Sequence, residues 1–252
     1  MNMISLTAPT QILRALLCTL LFLSSSRGQD RTPTLKEAKA AFDKADAGLN
    51  AAWDALKKDF DASRFNALKE DQKAWVEYRD YTASSPGFSG APADEAKAKQ
   101  SPEYFSTAAA LTASRTAWLK GLIAKDTGTS LTGEWTDSYG GHMEIVEKDG
   151  HLHFSIEVVR GPTAHLGAIA GLAAWNDPIG WFSDKGRDKT RQDETNLSFV
   201  LRDGKMQLTG GNTSPYHGAR ASFDGDYVRV ASLNAKAQAE VIKAAKEGGK
   251  EE

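Results

Sequence analysis

HMEIVEKDGHLHFSIEVVR, residues 142–160, decides how the C-terminal half of this 252-residue chain is read. On either side of Asp149-Gly150, apolar residues recur at every second position, which places them on one face of a strand. Asp-Gly between two such runs is two-residue hairpin chemistry, because both turn positions take positive φ. Working outward, the same alternation predicts strands at Gly133–Asp137, His142–Lys148, Leu152–Arg160, Leu166–Trp175, Ile179–Ser183, Leu197–Arg202, Lys205–Thr209 and Asp226–Ala231. Asp203-Gly204 marks a second tight hairpin. Eight short strands with tight turns point to an antiparallel barrel or sandwich. The barrel is the reading carried forward, with Trp135 expected to plug one end.

Two stretches of this half concentrate polar groups inside β-like sequence: Val158–Gly171 (VVRGPTAHLGAIAG) and Asn212–Arg229 (NTSPYHGARASFDGDYVR). They supply the candidate binding residues Arg160, His165, Tyr216, His217, Arg220 and Asp224. If the turns at Gly161-Pro162 and Ser214-Pro215 bring the histidines to one rim, two cations and two imidazoles suit an anionic or carboxylate ligand. The structural alternative pairs Arg220 with Asp224 across a turn and engages the histidines with backbone carbonyls. Gly167-x-Ile169-x-Gly171 leaves one strand face without side chains, as a barrel corner or a ligand lying over that face requires. Ser214 and His217 lie three apart, but without the strand–turn–helix context of a hydrolase nucleophile. His151-x-His153 puts two imidazoles on one strand face, but no third ligand accompanies them. No catalytic residue, metal or cofactor is therefore expected.

Before Lys125 the period is helical. Ala38, Phe42, Ala45, Leu49, Ala52, Trp53, Leu56 and Phe60 recur at steps of three and four and form one stripe, opening near Pro33-Thr34. A second helix is predicted from about Ala62 to Tyr81, and a third from the cap Ser101-Pro102 to Ile123. Between them, Thr82–Gln100 reads as turn chemistry around Pro86-Gly87 and Gly90-Ala91-Pro92. The expected class is α+β with two domains: a three-helix antiparallel bundle over 33–125 and an eight-stranded antiparallel barrel over 131–232. A charged tail, helical or disordered, follows at 234–252.

The helical half carries Asp46-x-x-Leu49-Asn50-x-x-Trp53-x-x-Leu56, then Leu68-x-x-x-Gln72-x-x-Trp75-x-x-Tyr78-Arg79-Asp80. This pattern resembles the helical domain of the LprI family of exported lysozyme inhibitors. Two departures stand out: Tyr81-Thr82 follows Arg-Asp where the family usually has a cysteine, and Trp53 replaces a more usual tyrosine. On the residues alone, Trp53 and Trp75 read as core anchors, and Arg79 and Asp80 as a capping pair at the second helix's end. The helical-then-barrel order is also similar to LprI inhibitors whose second domain is like the periplasmic inhibitors of C-type lysozyme, and the barrel is loosely lipocalin-like.

Composition agrees with an exported binding module. Arg14, the apolar run Ala15–Leu23 and the small residues Ser24–Gly28 read as a signal peptide over 1–28, too short to span a bilayer as an ordinary helix. Cys18, the only cysteine, lies within it and lacks a lipobox context, so a periplasmic or secreted location is expected. Residues 29–125 carry 15 Lys+Arg against 14 Asp+Glu, and residues 126–252 carry 14 against 19. There is no basic stripe for phosphates, so nucleic-acid binding is disfavoured. The expected partner is a C-type lysozyme or another envelope protein. Small-anion binding by the barrel, or hydrolysis with His217 as base, stands as the alternative.

Overall fold

The computed structural model describes residues 31–124, 130–184 and 194–248. The expected leader, Cys18 and most of the inter-half linker lie outside these. Helix α1 (Leu35–Asp59) starts at a capping box, where Thr34 Oγ1 accepts from the Glu37 N–H and the Glu37 carboxylate accepts from the Thr34 N–H. Asp61 caps α2 (Ala62–Ser84), and Ser101 caps α5 (Pro102–Gly121) with Pro102 in the first turn. The turn chemistry expected at 82–100 is corrected. α2 runs on to Ser84, and two single-turn helices follow, α3 (Pro86–Ser89) and α4 (Glu95–Ala98). Proline at the first position of α3 and the Asp94 cap of α4 start these turns locally. Counting α6 (Ala235–Gly248), the described residues hold six α-helices rather than three.

The long helices run back and forth. Asp46 and Arg79, and Trp53 and Phe65, meet between α1 and α2. Asp80 and Tyr104, and Asp71 and Arg115, meet between α2 and α5. Leu49, Leu56, Phe65, Leu68, Trp75 and Leu119 form the shared core.

The C-terminal half is a closed antiparallel barrel in sequence order: β1 (Gly133–Thr136), β2 (His142–Lys148), β3 (His151–Arg160), β4 (His165–Asn176), β5 (Ile179–Ser183), β6 (Asn196–Arg202), β7 (Lys205–Gly211) and β8 (Gly225–Ala231). Closure comes from β1 pairing with β8 across an irregular register at Glu134/Trp135. The period-two alternation survives as alternating burial, most cleanly along β3. Inside, Phe154 meets Phe182 edge-on at 5.0 Å and Phe199 at 5.1 Å. Gly171, opposite Phe154 in the register, sits under the Phe182 ring, and a Cβ there would collide with it. Trp135 is buried in this same core, its indole N–H donating to the Leu131 carbonyl at 3.1 Å.

The β1–β2 and β3–β4 connections meet the helices. Ser85 Oγ donates to the Pro162 carbonyl in the β3–β4 turn, and Tyr78 packs edge-on against Tyr139 in the β1–β2 loop at 5.1 Å. Val228 of β8 belongs to the helical core, so the helices also grip the barrel's side. Residues 34–252 thus make one compact unit. At the other extremity α6, capped by Asn234, lies across β2–β4 and buries Val241 and Ala245 with Leu233 and Val146 beneath.

Candidate functional site

The helix–barrel seam is built on two arginines. Arg115, only 1% exposed, points from α5 into a knot of three acceptors. Its guanidinium donates to the Asp71 carboxylate, to Gln72 Oε1 at 2.9 Å and, across the seam, to the Ser138 carbonyl at 3.2 Å. It also stacks over Trp118 at 4.3 Å and Trp75 at 5.4 Å. Burial pulls its pKa down, and Asp71 opposes that. Only a planar five-donor fork serves three acceptors and two rings at once.

Arg160, at the end of β3, pairs with Asp137, whose side chain is buried. Asp137 Oδ1 also accepts from the Tyr139 and Gly141 N–H groups at 2.9 and 2.7 Å, shaping the β1–β2 loop that Arg115 holds from the other side. Burial is the largest influence and works against the Arg160 charge, but Asp137 together with Tyr227 and Tyr78 outweighs it and the net shift is upward. A Cβ at Gly141 would come within 2.6 Å of Arg160 Nη2, so the loop needs glycine there. Beside this pair opens a cleft of about 480 Å³, lined from the helices by Asp71 and Trp118 and from the barrel by Tyr139, Lys205, Asp224 and Asp226. It shares Lys205 and Asp226 with a wider groove of about 1100 Å³ along β7–β8 and the end of α5.

The predicted rim residues do not form one constellation. Arg160 is turned to Asp137. His165 and His217 do come together, flanking Gly218: a Cβ there would lie 3.0 Å from His165 Nδ1, and His217 pairs with Gly167 in an isolated bridge. Both ring nitrogens of His217 are engaged, Nε2 with Thr213 Oγ1 and Nδ1 with the Gly218 carbonyl, each at 2.9 Å. With Nδ1–H donating to that carbonyl, Nε2 accepts from the Thr213 hydroxyl. The ring meets Phe223 edge-on at 5.5 Å. His217 and Phe223 fill the face that Gly167 leaves bare, the place where the sequence allowed a ligand. Tyr216 donates to Asp184 at 3.2 Å, and burial together with that carboxylate pushes its phenol up to about 12. Arg220 is exposed and makes no ion pair among the described residues. Asp224 accepts from the Gly210 N–H at 2.6 Å, so the expected Arg220–Asp224 pair is not the one formed. His153 Nδ1 is buried without a partner, and no group of three or more metal-type ligands occurs among the described residues.

The helical motif residues make a second clasp. Arg79 Nε donates to Asp80 Oδ1 at 2.8 Å, Asp80 accepts from the Tyr104 hydroxyl at 3.2 Å, and Arg79 approaches Asp46 at 4.0 Å. These tie α1, α2 and α5 to one another; Arg79 and Asp80 do pair, but α2 runs on to Ser84 and is capped at Ser85. Trp75 is 1% exposed beneath Arg79 and Arg115, and Gln72 is spent on Arg115. Leu49 is buried, Trp53 is half-buried on Phe65 at 5.0 Å, and Asn50 donates to Asp46 at 3.1 Å on the surface. Sequence reading passed over Arg115, Asp71 and Asp137. A lone arginine inside the Leu111–Leu119 stripe was the available signal for the first of these.

Fold and seam together define a helical module set on a closed antiparallel barrel and tied to it by the hydrogen bonds from Arg115 to the Ser138 carbonyl and from Ser85 to the Pro162 carbonyl. Residues 25–119, the helical region without the barrel, match the family described as Lysozyme inhibitor LprI. No curated protein and no solved structure matches the chain. Among the described residues, no helix is long and apolar enough to cross a membrane.

Proposed function

We propose that this protein is an exported, non-catalytic binding module of the cell envelope that inhibits C-type lysozyme by occluding its cleft. The family match over 25–119 carries the reading. In it the long helices act as an antiparallel bundle and a platform, since their motif residues are consumed in internal ties. The contacting element is the long β7–β8 connection, residues 212–224, with the cleft edge beside it. Its tip exposes Ser214, Pro215, Arg220 and Asp224, and Asp226 follows at the start of β8. His217 and Tyr216 brace its base against β4 and Asp184. A braced loop loses little freedom on binding, and exposed carboxylates at its edge complement a cationic enzyme.

The test is lysozyme activity on cell walls together with complex formation at two salt concentrations. Inhibition that weakens at high salt, and that falls by roughly tenfold in Asp224→Asn/Asp226→Asn with unchanged thermal unfolding, is the expected result. No complex at low salt, or full inhibition by the double variant, would sink it.

A further inference from the structure

Three of the largest exposed apolar side chains sit side by side on the barrel's outer wall: Leu172, Ile179 and Trp181 are 45%, 55% and 54% exposed. The register makes them one patch. Trp181 lies opposite Ala174 on β4 and Ser198 on β6, Ile179 lies opposite Val200, and Leu172 is two residues from Ala174 on the same face. The wall continues onto β7 without charge through Thr209 and Gln207, and Arg202 and Lys205 appear only at the hairpin end. The patch adjoins the strands that α6 covers, since α6 lies over β2–β4 and Gly248 rests against Ala170. Contiguous apolar surface of this kind marks an association site rather than scattered exposure.

Three occupants can be weighed by charge. A cationic enzyme needs carboxylates, and among the described residues the wall of β4 to β7 presents none. An anionic bilayer needs a basic excess, and the hairpin turns at this end set Lys148, Arg202 and Lys205 against Asp149, Asp177 and Asp203. A second copy of the same wall brings neutral surface to neutral surface. It also meets the requirement of a two-fold contact, that one patch carry both knob and hole: Trp181 protrudes beside the small Ala174. We propose that the outer wall of β4 and β5, centred on Trp181, is a self-association surface that takes a second copy of this chain across a two-fold axis. This stands independently of the lysozyme reading.

Sedimentation of the purified chain tests it. A concentration-dependent dimer that does not weaken in about 0.5 M salt is expected, because no charge holds it. Trp181→Glu should weaken association by roughly tenfold or more, with thermal unfolding unchanged, because the residue faces outward. Ile179→Cys in a Cys18→Ser background carries the only thiol of the chain, and under oxidation it should give a disulfide-linked dimer. That arm decides the matter if the glutamate variant fails to fold. A monomer at every concentration, a dimer indifferent to Trp181→Glu, or a monomer that floats with neutral phosphatidylcholine vesicles would each overturn the proposal, the last in favour of a lipid surface.

Discussion

In the barrel, aromatic rings meet other rings: Phe154 lies between Phe182 and Phe199. In the helical half, rings meet rings too, as Trp53 meets Phe65, but they also meet guanidinium groups, with Trp75 and Trp118 beneath Arg115 and Trp75 also beside Arg79. The first arrangement is non-directional and rewards volume and shape. The second is directional, because a buried charge is tolerated only while its acceptors stay in place. Filling dominates inside the barrel, while the helical half joins its apolar core to directional ties, one of which, from Arg115 to the Ser138 carbonyl, also fixes where it sits on its neighbour.

The difference can be broken by substitution. Phe154→Ala should cost about 4 kcal/mol through the cavity it leaves, lowering the urea midpoint with little change in slope. A loss below about 1 kcal/mol would mean the interior collapses easily and is not close-packed. Arg115→Met should cost about 3 kcal/mol, less than a fully buried pair can, since Asp71 keeps some solvent. Arg115→Lys should not restore it, because an ammonium cannot span Asp71, Gln72 and Ser138 together. If methionine is neutral there, the guanidinium is only packing and the two halves obey one rule.

The smallest effect sharpens the comparison on the barrel's outer face. Burial raises the Glu144 pKa, His142 opposes this, and Glu134, Glu157 and Glu240 add to it. The folded state thus holds this proton more tightly than the unfolded chain does. Its stabilising contribution is present below about pH 4.5 and lost as pH rises through the folded value. Glu144→Gln should therefore be slightly more stable than the parent at pH 7, with the gap closing toward pH 4. His153 works in the opposite sense. Burial, helped by His151, Lys246 and Lys148, lowers its pKa, so its contribution is present above pH 6.5 and fades as pH falls through the folded value. Amide exchange in α6, which carries Glu240 and Lys246, reads both. A flat pH profile in that helix would show that neither group bears on its docking.

The strands were legible almost to the residue because each writes its burial into alternate positions, as β3 does from Leu152 to Val158. The caps at Ser101-Pro102 were equally local. What periodicity does not encode is which distant elements meet. Arg160 and Asp137 are 23 residues apart, Arg115 and Ser138 likewise 23, and nothing in either neighbourhood names the other. The candidate rim was assembled from residue types alone, and it came apart when Arg160 turned to Asp137 while His217 served its own loop. Its two histidines lie near each other because the extended β7–β8 connection folds back onto β4, a contact that no local pattern names. The C-terminal helix was visible as a pattern, but its seat on Val146 was not.

Val228 sits on the final strand and yet completes the apolar interior of the helices, resting where Gly121 has no side chain to obstruct it. A ribosome delivers that valine more than a hundred residues after Trp118. Until it arrives, the nascent helical half keeps a greasy flank uncovered, so that half completes its interior only once the last strand has been made.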